Sequence, residues 1–533
     1  MFSLSYNDTM TLEYLVNGVK KSISASNEDI LFVDENNIRA NKEVTLISAN
    51  RSIDFIIDKD DLYFLNGYQS WSQAIFDHPT IKEKLGMEDN TIPGVSPYGD
   101  YDFYKREDDR LHSWDMFYSV GVNELFIINN NYRNAFLIIE ILKKEKRINL
   151  ISDVDGKLLK EGEQFTLYDY DIHYTYQEGL ENYKRKYPRK NLAKIFGYTS
   201  WYNYFQNINE EIILRDLSSI DSRFDLFQID DGYETFVGDW LDVDEKKFPN
   251  GLKLIVDKIH EKGLKAGIWL APFVAEANSK IFKNHPDWFV LDKNGNPLKT
   301  GIGWSGQYAL DTSKEEVKDY LKKCLEHYVD IGFDFFKLDF LYSVSYSHPH
   351  ITRAESSYHH YKWLKEILKG KTVLACGAVL FNVIDNFDYA RIGCDVTIDF
   401  IDQTYAALPL SEVPSTKMSI QNTINRFVFN DRLFGNDPDV FLLRDDNISL
   451  TKQQKRTLAI INAICGQILL TSDDIGKYDK EKNELLNKVI DIFRNEKEIV
   501  YYKEKNLIYI KCFLKNREYD FAYNINKGII VNK

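Results

Sequence analysis

The segment Phe333-Asp-Phe-Phe-Lys337-Leu-Asp339-Phe340 predicts a buried strand that carries two charged side chains on one face. Side chains alternate along a strand, so Lys337 and Asp339 point the same way, while Phe336, Leu338 and Phe340 point to the other side. The lysine lies within reach of the carboxylate, and its charge favours ionisation. The pattern therefore predicts that Asp339 is an ionised nucleophile, and a purely structural ion pair is the alternative.

Seven further strand-like segments flank this one and alternate with helix-like segments. The eight predicted strands are residues 195–201, 226–230, 266–271, 333–339, 373–378, 389–395, 440–443 and 468–472. Helices are predicted at 252–262 and 314–331, where apolar residues recur three or four positions apart. Eight strands within about 280 residues match the size of a (β/α)8 TIM barrel, and a doubly wound parallel sheet is the alternative.

The segments on either side of this region favour β structure. Residues 1–190 contain short β-rich runs such as 43–48, 52–57 and 125–129, separated by Asn, Asp and Gly turns, which is typical of a sandwich. A charged helix-like stretch at 479–496 precedes strand-like runs near the C-terminus. The predicted fold is of the α/β class, with an N-terminal β-sandwich domain (1–190), a central barrel (191–477) and a small C-terminal β domain (478–533).

Composition and charge exclude several classes of function. Hydrophobic residues make up 44% of the 533-residue chain, which is enough apolar material to exclude wholesale disorder. The net charge of −14 repels phosphate backbones, so no nucleic-acid partner is expected. No apolar run approaches the length of a membrane span, and no signal peptide is visible. Five scattered cysteines without a CxxC pair indicate a reduced, cytoplasmic protein, and the oligomeric state stays open.

Acidic residues recur at the carboxyl ends of the predicted strands, where barrel enzymes collect their reactive groups. The second strand ends in Asp230 and Asp231, whose adjacent carboxylates can accept hydrogen bonds from neighbouring sugar hydroxyls. On the sixth strand Arg391 and Asp395 lie four residues apart and face the same way, so Arg391 can orient Asp395 or a substrate hydroxyl. Each feature alone is also compatible with an ordinary turn or a surface ion pair.

Aromatic residues lie at or near the same strand ends, namely Trp201, Tyr202, Tyr233 and Trp269. Such side chains suit the apolar face of a sugar ring, although core packing is the usual reason for a tryptophan. Cys376 alone indicates a small buried side chain. Two separated carboxylates, each with a basic neighbour, together with the paired acids and the aromatic residues, favour glycoside hydrolysis.

Two other motifs are set aside. Residues 301–306 match GxGxxG but lack the strand–turn–helix context of a dinucleotide site, so we predict a loop near the barrel mouth. The histidines His348, His350, His359 and His360 lack an HExxH pattern, and the last two are adjacent and cannot share one helix face. No metal site is predicted.

The motifs in this order resemble those of glycoside hydrolase family 36, the group of bacterial α-galactosidases. The resemblance covers nearly the whole chain and rests on Asn66-Gly-Tyr-Gln-Ser-Trp71-Ser, Gly197-Tyr-Thr-Ser-Trp201-Tyr202, Gln228-Ile-Asp-Asp-Gly232, Gly267-Ile-Trp269-Leu-Ala-Pro-Phe273, Phe336-Lys-Leu-Asp339, Cys376-Gly377 and Arg391-Ile-Gly-Cys-Asp395. It implies the order β-sandwich, barrel and small β domain, and it implies no metal or organic cofactor.

The resemblance also implies a role for each residue at these positions. Asp339 corresponds to the nucleophile and Asp395 to the general acid/base. The positions that correspond to substrate binding are Asp230 and Asp231 at O4 and O6, Lys337 near O3 and O4, Cys376 and Arg391 around O2, Trp269 near the hydroxymethyl group, Trp201 and Tyr202 at the same site, and Trp71 reaching over the barrel mouth. Leu341 stands where many members carry an asparagine, so one minor contact is missing.

The function implied is a retaining exo-α-galactosidase that releases terminal galactose from small oligosaccharides of the raffinose or melibiose type by double displacement. One alternative is an α-N-acetylgalactosaminidase, which needs room for an acetamido group at C2. Another is a transglycosylase, which passes the same intermediate to a sugar acceptor. A non-catalytic sugar-binding protein is expected to lack one of the two carboxylates, and both are present.

Overall fold

The centre of the fold is a closed barrel of parallel strands. The computed structural model describes residues 10–80, 109–292, 294–301, 303–345, 350–401, 415–495, 497–514 and 517–531. In order around the ring, the barrel strands are Ile195–Thr199, Leu226–Ile229, Lys265–Leu270, Phe335–Leu338, Thr372–Ala375, Tyr389–Arg391, Gly435–Asp437 with Val440–Phe441, and Ile468–Thr471. The first strand pairs with the eighth, which closes the ring. The predicted barrel is confirmed, and the doubly wound alternative is wrong.

The seventh barrel strand is interrupted in its middle. Gly435–Asp437 pairs with the sixth strand and Val440–Phe441 pairs with the eighth, so the two pieces together fill one position in the ring. The break falls at Pro438, which has no backbone N–H to donate, and at Asp439. Asp439 has a φ of 74°, in the left-handed region that side-chain-bearing residues rarely occupy. The strand predicted at 440–443 therefore begins earlier, at Gly435.

A helix follows each barrel strand and packs outside the ring. These helices are Glu210–Ser219, Gly251–Glu261, Glu315–Ile331, Arg353–Ile367, Leu380–Val383, Thr416–Asn425, Lys452–Cys465 and Lys480–Arg494. The helices predicted at 252–262 and 314–331 are confirmed. The second of them buries an apolar stripe and ends at Gly332, whose φ of 114° suits a residue without a Cβ.

Shorter elements occupy the loops. The α-helical ones are Trp201–Tyr204 and Lys280–Asn284, and the 3-10 helices are Pro286–Trp288, Leu341–Ser345, Arg426–Phe429 and Ile475–Lys477. The loop after the third barrel strand also carries a small antiparallel sheet of Val274–Glu276, Gln307–Ala309 and Lys299–Gly301. This sheet brings the predicted loop at 301–306 to the mouth of the barrel, beside Asp231.

Antiparallel sheets precede the barrel and are joined to it through helix Tyr176–Lys186. The largest contains Val19–Ile23, Thr11–Val16, Val44–Asp54, Arg147–Asp153, Phe136–Leu142 and Arg110–Trp114, with Leu158–Leu159 beside the third of these. The second contains Tyr170–His173, Leu125–Asn129, Met116–Val120, Leu62–Leu65 and Ile75–Asp77, and the third contains Gln164–Thr166, Asn37–Ala40 and Ile30–Phe32. Apolar side chains of all three sheets form a shared buried cluster, as in a sandwich, while the other face of the second sheet joins the cluster of the barrel. The runs predicted at 43–48 and 52–57 belong to one long strand.

A four-stranded antiparallel sheet ends the described chain, with strands Lys497–Glu504, Leu507–Leu514, Arg517–Asn524 and Ile529–Val531. The helix-like stretch predicted at 479–496 is Lys480–Arg494, whose apolar side joins the buried cluster of the barrel. The predicted fold class is confirmed, while the domain boundaries at 190 and 477 stay predictions. Within the described residues, no helix combines the length and the apolar character needed to cross a membrane.

Candidate active site

Asp339 lies directly after the fourth barrel strand, which ends at Leu338. The indole Nε1 of Trp269 donates a hydrogen bond to its Oδ2 at 3.0 Å, and the backbone N–H of Phe340 donates to its Oδ1 at 2.9 Å. Both carboxylate oxygens therefore have a donor, and the residue is only 8% exposed. These contacts fix the carboxylate in one orientation at the end of the strand.

The protonation of Asp339 depends on opposing influences. Burial raises its pKa and outweighs the charge of Lys337, which lowers it. Hydrogen bonds from Cys376 and Trp269 also lower the pKa, and the charge of Asp395 raises it. The expected low pKa of the nucleophile is therefore wrong in direction, because desolvation exceeds the effect of the nearby cation.

Lys337 forms its ion pair with Asp230 rather than with Asp339. Its Nζ donates to Asp230 Oδ2 at 2.9 Å, and both side chains are buried. Burial alone lowers the pKa of Lys337, but the charge of Asp230 outweighs burial and the net shift is upward. The alternative of a purely structural Lys337–Asp339 pair is wrong, because Asp230, from the second strand two positions away in the ring, forms the ion pair with the ammonium group. The charge of Lys337 still lowers the pKa of Asp339, as expected.

The paired acids at the end of the second strand have different surroundings. Asp230 Oδ2 also accepts hydrogen bonds from Gln228 at 2.8 Å and Thr199 at 3.3 Å. Asp231 Oδ2 accepts a hydrogen bond from the indole of Trp304 at 2.9 Å. Burial raises the pKa of Asp231, while hydrogen bonds from Glu234, Trp304 and Gln206 lower it.

Asp395 lies beyond the sixth strand, which ends at Arg391 rather than at the predicted residue 395. Arg391 Nη1 donates to Asp395 Oδ1 at 3.0 Å, so Arg391 does orient this carboxylate. The side chain of Asp395 is 50% exposed, whereas that of Arg391 is 1% exposed. The two separated carboxylates thus differ in solvent access: Asp339 is held and desolvated, and Asp395 faces water, with which it can exchange a proton.

Trp71 enters the barrel mouth from the N-terminal sheets. Its loop docks on the barrel through Ser70, whose N–H donates to Ala378 O at 2.8 Å and whose Oγ accepts from Ala378 N at 3.0 Å. The indole packs edge-on against Phe340, with ring centroids 5.0 Å apart. A Cβ on Gly377 would lie 3.0 Å from this indole, so the close approach needs glycine there.

The remaining predicted aromatic residues divide into two groups. Trp269 contacts Asp339 and packs against Trp304, with ring centroids 6.1 Å apart. Tyr202 is buried, and the charge of Asp395 contributes to raising its pKa after the larger effect of burial. Trp201 packs edge-on against Phe205, with ring centroids 5.2 Å apart, and its part in substrate binding stays a prediction.

Residue-by-residue reasoning missed Trp304, Gln206, Asp437 and Asp439 as members of the site. Trp304 lies in the loop that matches GxGxxG, and its φ of 54° is a strained value for a bulky residue. Phe340, directly after Asp339, has a similar φ of 53°. The sequence patterns of strands and helices contain no signal for such backbone strain.

Of the four histidines set aside as metal ligands, His348 lies outside the described residues. His359 and His360 lie in helix Arg353–Ile367, where His360 Nδ1 contacts Ser356 O at 2.7 Å. In the described part of the chain, no three His, Cys, Asp or Glu side chains come together in a group that could hold a metal ion.

The barrel gathers two separated carboxylates, buried cationic partners and tryptophans at its carboxyl end, an arrangement that is typical of barrel glycoside hydrolases. Residues 188–371, which contain the first four barrel strands, match the model of the melibiase family. The match covers 184 of the 533 residues, so this part of the chain is similar in sequence to melibiases.

Two curated relatives match parts of the chain. The α-galactosidase AgaA of Geobacillus stearothermophilus is 32% identical over 125 residues, which is 22% of this chain and 16% of that protein. The A type blood α-D-galactosamine galactosaminidase of Flavonifractor plautii is 32% identical over 145 residues, which is 24% of this chain and 13% of that protein. The matched segments thus span less than a fifth of either relative.

A solved structure matches nearly the whole chain. TtGalA, an α-galactosidase of Thermus thermophilus in complex with p-nitrophenyl α-D-galactopyranoside, has a TM-score of 0.71 and 23% identity, with 96% of this chain and 98% of that chain covered. A second structure of that protein is a complex with stachyose, with a TM-score of 0.69, 23% identity and coverage of 91% and 100%. These structures share the fold of this chain.

Proposed function

We propose that this protein is a retaining exo-α-galactosidase that hydrolyses terminal α-linked galactose by double displacement. The observation that carries the proposal is the pair of carboxylates with opposite surroundings at one barrel mouth. Asp339 is desolvated and held by two donors, while Asp395 is half-exposed and held by Arg391. A fixed buried carboxylate suits attack on carbon, and an accessible one suits proton transfer with water.

In the first step, Asp339 attacks the anomeric carbon from the face opposite the leaving group. Protonated Asp395 gives its proton to the glycosidic oxygen as the bond to the anomeric carbon breaks. The product is a galactosyl ester on Asp339 with inverted configuration, and the aglycone leaves as a neutral alcohol. The Trp269 and Phe340 donors keep the carboxylate oriented for attack.

In the second step, Asp395 removes a proton from water, which attacks the anomeric carbon and releases Asp339. Two inversions give galactose with its α configuration retained. Retaining enzymes hold their two carboxyl groups about 5–5.5 Å apart, and we expect that separation between Asp339 and Asp395. The reaction needs only these side chains and water, so we propose no cofactor.

The sugar is proposed to bind against Asp230, Asp231 and Trp269. Asp231 and Lys337 offer a carboxylate and an ammonium group to adjacent hydroxyls, and Trp269 offers an apolar surface beside the hydroxymethyl group. Cys376 and Arg391, proposed to lie near C2, are both buried, which favours a hydroxyl there over an acetamido group. Raffinose-type and melibiose-type galactosides are the proposed substrates, in keeping with the galactosides named for the Thermus structures.

A panel of nitrophenyl glycosides tests the proposed activity. We expect the α-galactoside to be hydrolysed with the highest kcat/KM, and the α-glucoside and β-galactoside to be hydrolysed very slowly. The name of the Flavonifractor relative makes the α-N-acetylgalactosaminide an essential member of the panel. Preference for that substrate contradicts the galactose assignment, and turnover of none of them contradicts the proposed activity.

Replacement of Lys337 with methionine is expected to move the acidic limb of the kcat/KM–pH profile to higher pH. The active form of Asp339 is the deprotonated carboxylate, and Lys337 lowers its pKa. Without the cation the pKa of Asp339 rises further, so protonation inactivates the enzyme at a higher pH.

The matched control is Lys455→Met, which removes another buried lysine, paired with Asp445 at 2.7 Å. It is expected to lower stability and leave the acidic limb in place. An acidic limb that stays put, or moves to lower pH, in Lys337→Met contradicts the proposed influence on Asp339.

A further inference from the structure

Arg391 is surrounded by three carboxylates from two neighbouring barrel strands and their loops. Its Nη1 donates to Asp395 at 3.0 Å, its Nε donates to Asp437 at 2.8 Å, and its Nη2 lies 2.8 Å from Asp439 Oδ1. Asp437 and Asp439 are fully buried, whereas Asp395 is half-exposed. The guanidinium therefore connects a proposed catalytic carboxylate to two that solvent does not reach.

Asp439 also contacts the backbone next to Asp395. Its Oδ2 accepts a hydrogen bond from the N–H of Val396 at 2.8 Å. One carboxylate thus touches both the cation that holds Asp395 and the residue that follows Asp395 in the chain. This hydrogen bond holds the loop that follows the sixth strand against the seventh strand.

The backbone at Asp439 is strained in order to make these contacts. Asp439 lies in the break of the seventh strand with a φ of 74°, and its own N–H donates to Asp437 Oδ1 at 2.9 Å. Left-handed conformations of non-glycine residues are energetically unfavourable and are concentrated at functional sites. Side chains two residues apart share one face of a regular strand, and across this break both carboxylates still lie against Arg391.

The charges around Arg391 explain why two additional carboxylates are needed. A guanidinium paired with Asp395 alone favours the deprotonated carboxylate, and a general acid must be able to hold a proton. Asp437 and Asp439 share the charge of Arg391, so Asp395 is one of three anions around a single cation. The arrangement orients Asp395 while the charge of the guanidinium is divided among three carboxylates.

Resting on the proposed function, we propose that Asp439 is a positioning residue for the acid/base chemistry of Asp395. It holds Arg391 and the Val396 N–H in place, and its negative charge offsets Arg391 so that Asp395 can take up and release a proton. Asp439 itself need not touch the substrate.

Several titratable groups face Asp439, and they set the expected pH dependence. They are Arg391, Asp395, Asp437, Cys394 and Tyr202. Burial raises the pKa of Asp439 to about 7, although Arg391 and a hydrogen bond from Tyr202 lower it. As the pH falls through this value, Asp439 becomes neutral and its support for protonated Asp395 is lost. Above the pKa of Asp439, its negative charge is present and offsets that of Arg391.

The variant Asp439→Asn tests the inference, because it keeps the shape of the side chain and removes its charge. We expect kcat for melibiose, which has a poor leaving group, to fall about 10- to 100-fold, and kcat for a nitrophenyl α-galactoside to fall less than about threefold. The alkaline limb of kcat/KM for melibiose should move to lower pH. The profiles of variant and wild type should converge on the acidic side, where Asp439 is neutral in both.

Asp216→Asn is the matched control, since Asp216 is also a fully buried aspartate with an arginine partner, Arg215, at 2.8 Å. It is expected to affect both substrates equally and to leave the alkaline limb in place. If Asp439→Asn fails to fold, Asp439→Glu keeps the charge but moves the carboxylate by one methylene, and a smaller difference between the substrates is expected.

The outcomes separate this inference from the proposed function. Equal losses on both substrates with an unchanged alkaline limb in Asp439→Asn contradict the positioning role. If Asp395→Ala still discriminates between the two leaving groups in that case, the proposed function stands. Absence of wild-type turnover on either α-galactoside contradicts the proposed function itself. The effect of Asp439→Asn should also vanish in an Arg391→Lys background, because the two residues act through one contact.

Discussion

Replacing Asp339 with glycine is expected to lower kcat for a nitrophenyl α-galactoside by a factor of about 10⁵, because no other group can form the galactosyl ester. The substitution also leaves space where the carboxylate stood between Trp269 and Phe340. Azide, a small anionic nucleophile, should fill that space and restore turnover. It attacks from the face that Asp339 used, so the expected product is β-galactosyl azide, identified by NMR.

The control for this variant lies on the same segment of chain. Asp334 precedes the fourth barrel strand, at the end of the barrel opposite the proposed site, and His260 contacts it at 2.9 Å. Asp334→Gly should keep most of the wild-type kcat and should not respond to azide. An α-galactosyl azide from Asp339→Gly, or full activity without azide, contradicts the nucleophile assignment.

Replacing Asp395 with alanine should separate substrates by their leaving groups. The expected loss of kcat/KM on melibiose or raffinose is about 10²- to 10⁴-fold, because these aglycones need a proton as they depart. A nitrophenolate leaves without that proton, so formation of the galactosyl ester from a nitrophenyl substrate should be affected far less. Steady-state and burst kinetics on the two kinds of substrate measure the difference.

Azide should give the opposite anomer with this variant. In Asp395→Ala the ester on Asp339 still forms, and azide intercepts it from the face that water normally uses, which yields α-galactosyl azide. Equal losses on melibiose and the nitrophenyl substrate would mean that Asp395 is not the general acid. Opposite azide products from the two variants would assign the two carboxylates to opposite faces of the sugar.

Much of the barrel could be predicted because strands and helices have different periodicities. The fourth strand was placed at 333–339 and spans Phe335–Leu338, and helix Glu315–Ile331 was placed almost at its true bounds. The predicted strands extend too far at their ends, because apolar and polar residues continue to alternate into the loops. The residues at these ends, Asp339 and Asp395, lie just beyond their strands.

The seventh strand shows why part of the site was missed. The strand is predicted at 440–443, so the acids at 437 and 439 fall before it, at the end of the barrel opposite the site. The structure has strand pairing on both sides of Pro438, which puts the acids beside Arg391. The position of the seventh strand depends on its pairing with the sixth and eighth strands, and the sequence of one segment carries no information about which strands it pairs with.

The ion-pair partner of Lys337 could also not be predicted from sequence spacing. Lys337 and Asp339 do share a face of one strand, but the lysine pairs at 2.9 Å with Asp230 from the second strand, two positions away in the ring. Inside a barrel, side chains from alternate strands meet in one layer, so sequence spacing alone could not choose between the two aspartates. Trp71 reached the site only through the family resemblance, because its contact with Phe340 joins distant parts of the chain.

The most direct test of two carboxylates acting on one sugar is to trap the covalent intermediate. A 5-fluoro-galactosyl fluoride of the α configuration should transfer its sugar to the enzyme faster than the ester is hydrolysed, and peptide mass spectrometry then locates the modified residue. The expected label lies on Asp339 in the wild-type enzyme. A label on Asp395 or on another residue, or inactivation-free turnover that releases β-galactose from an α-galactoside, would contradict the double-displacement assignment.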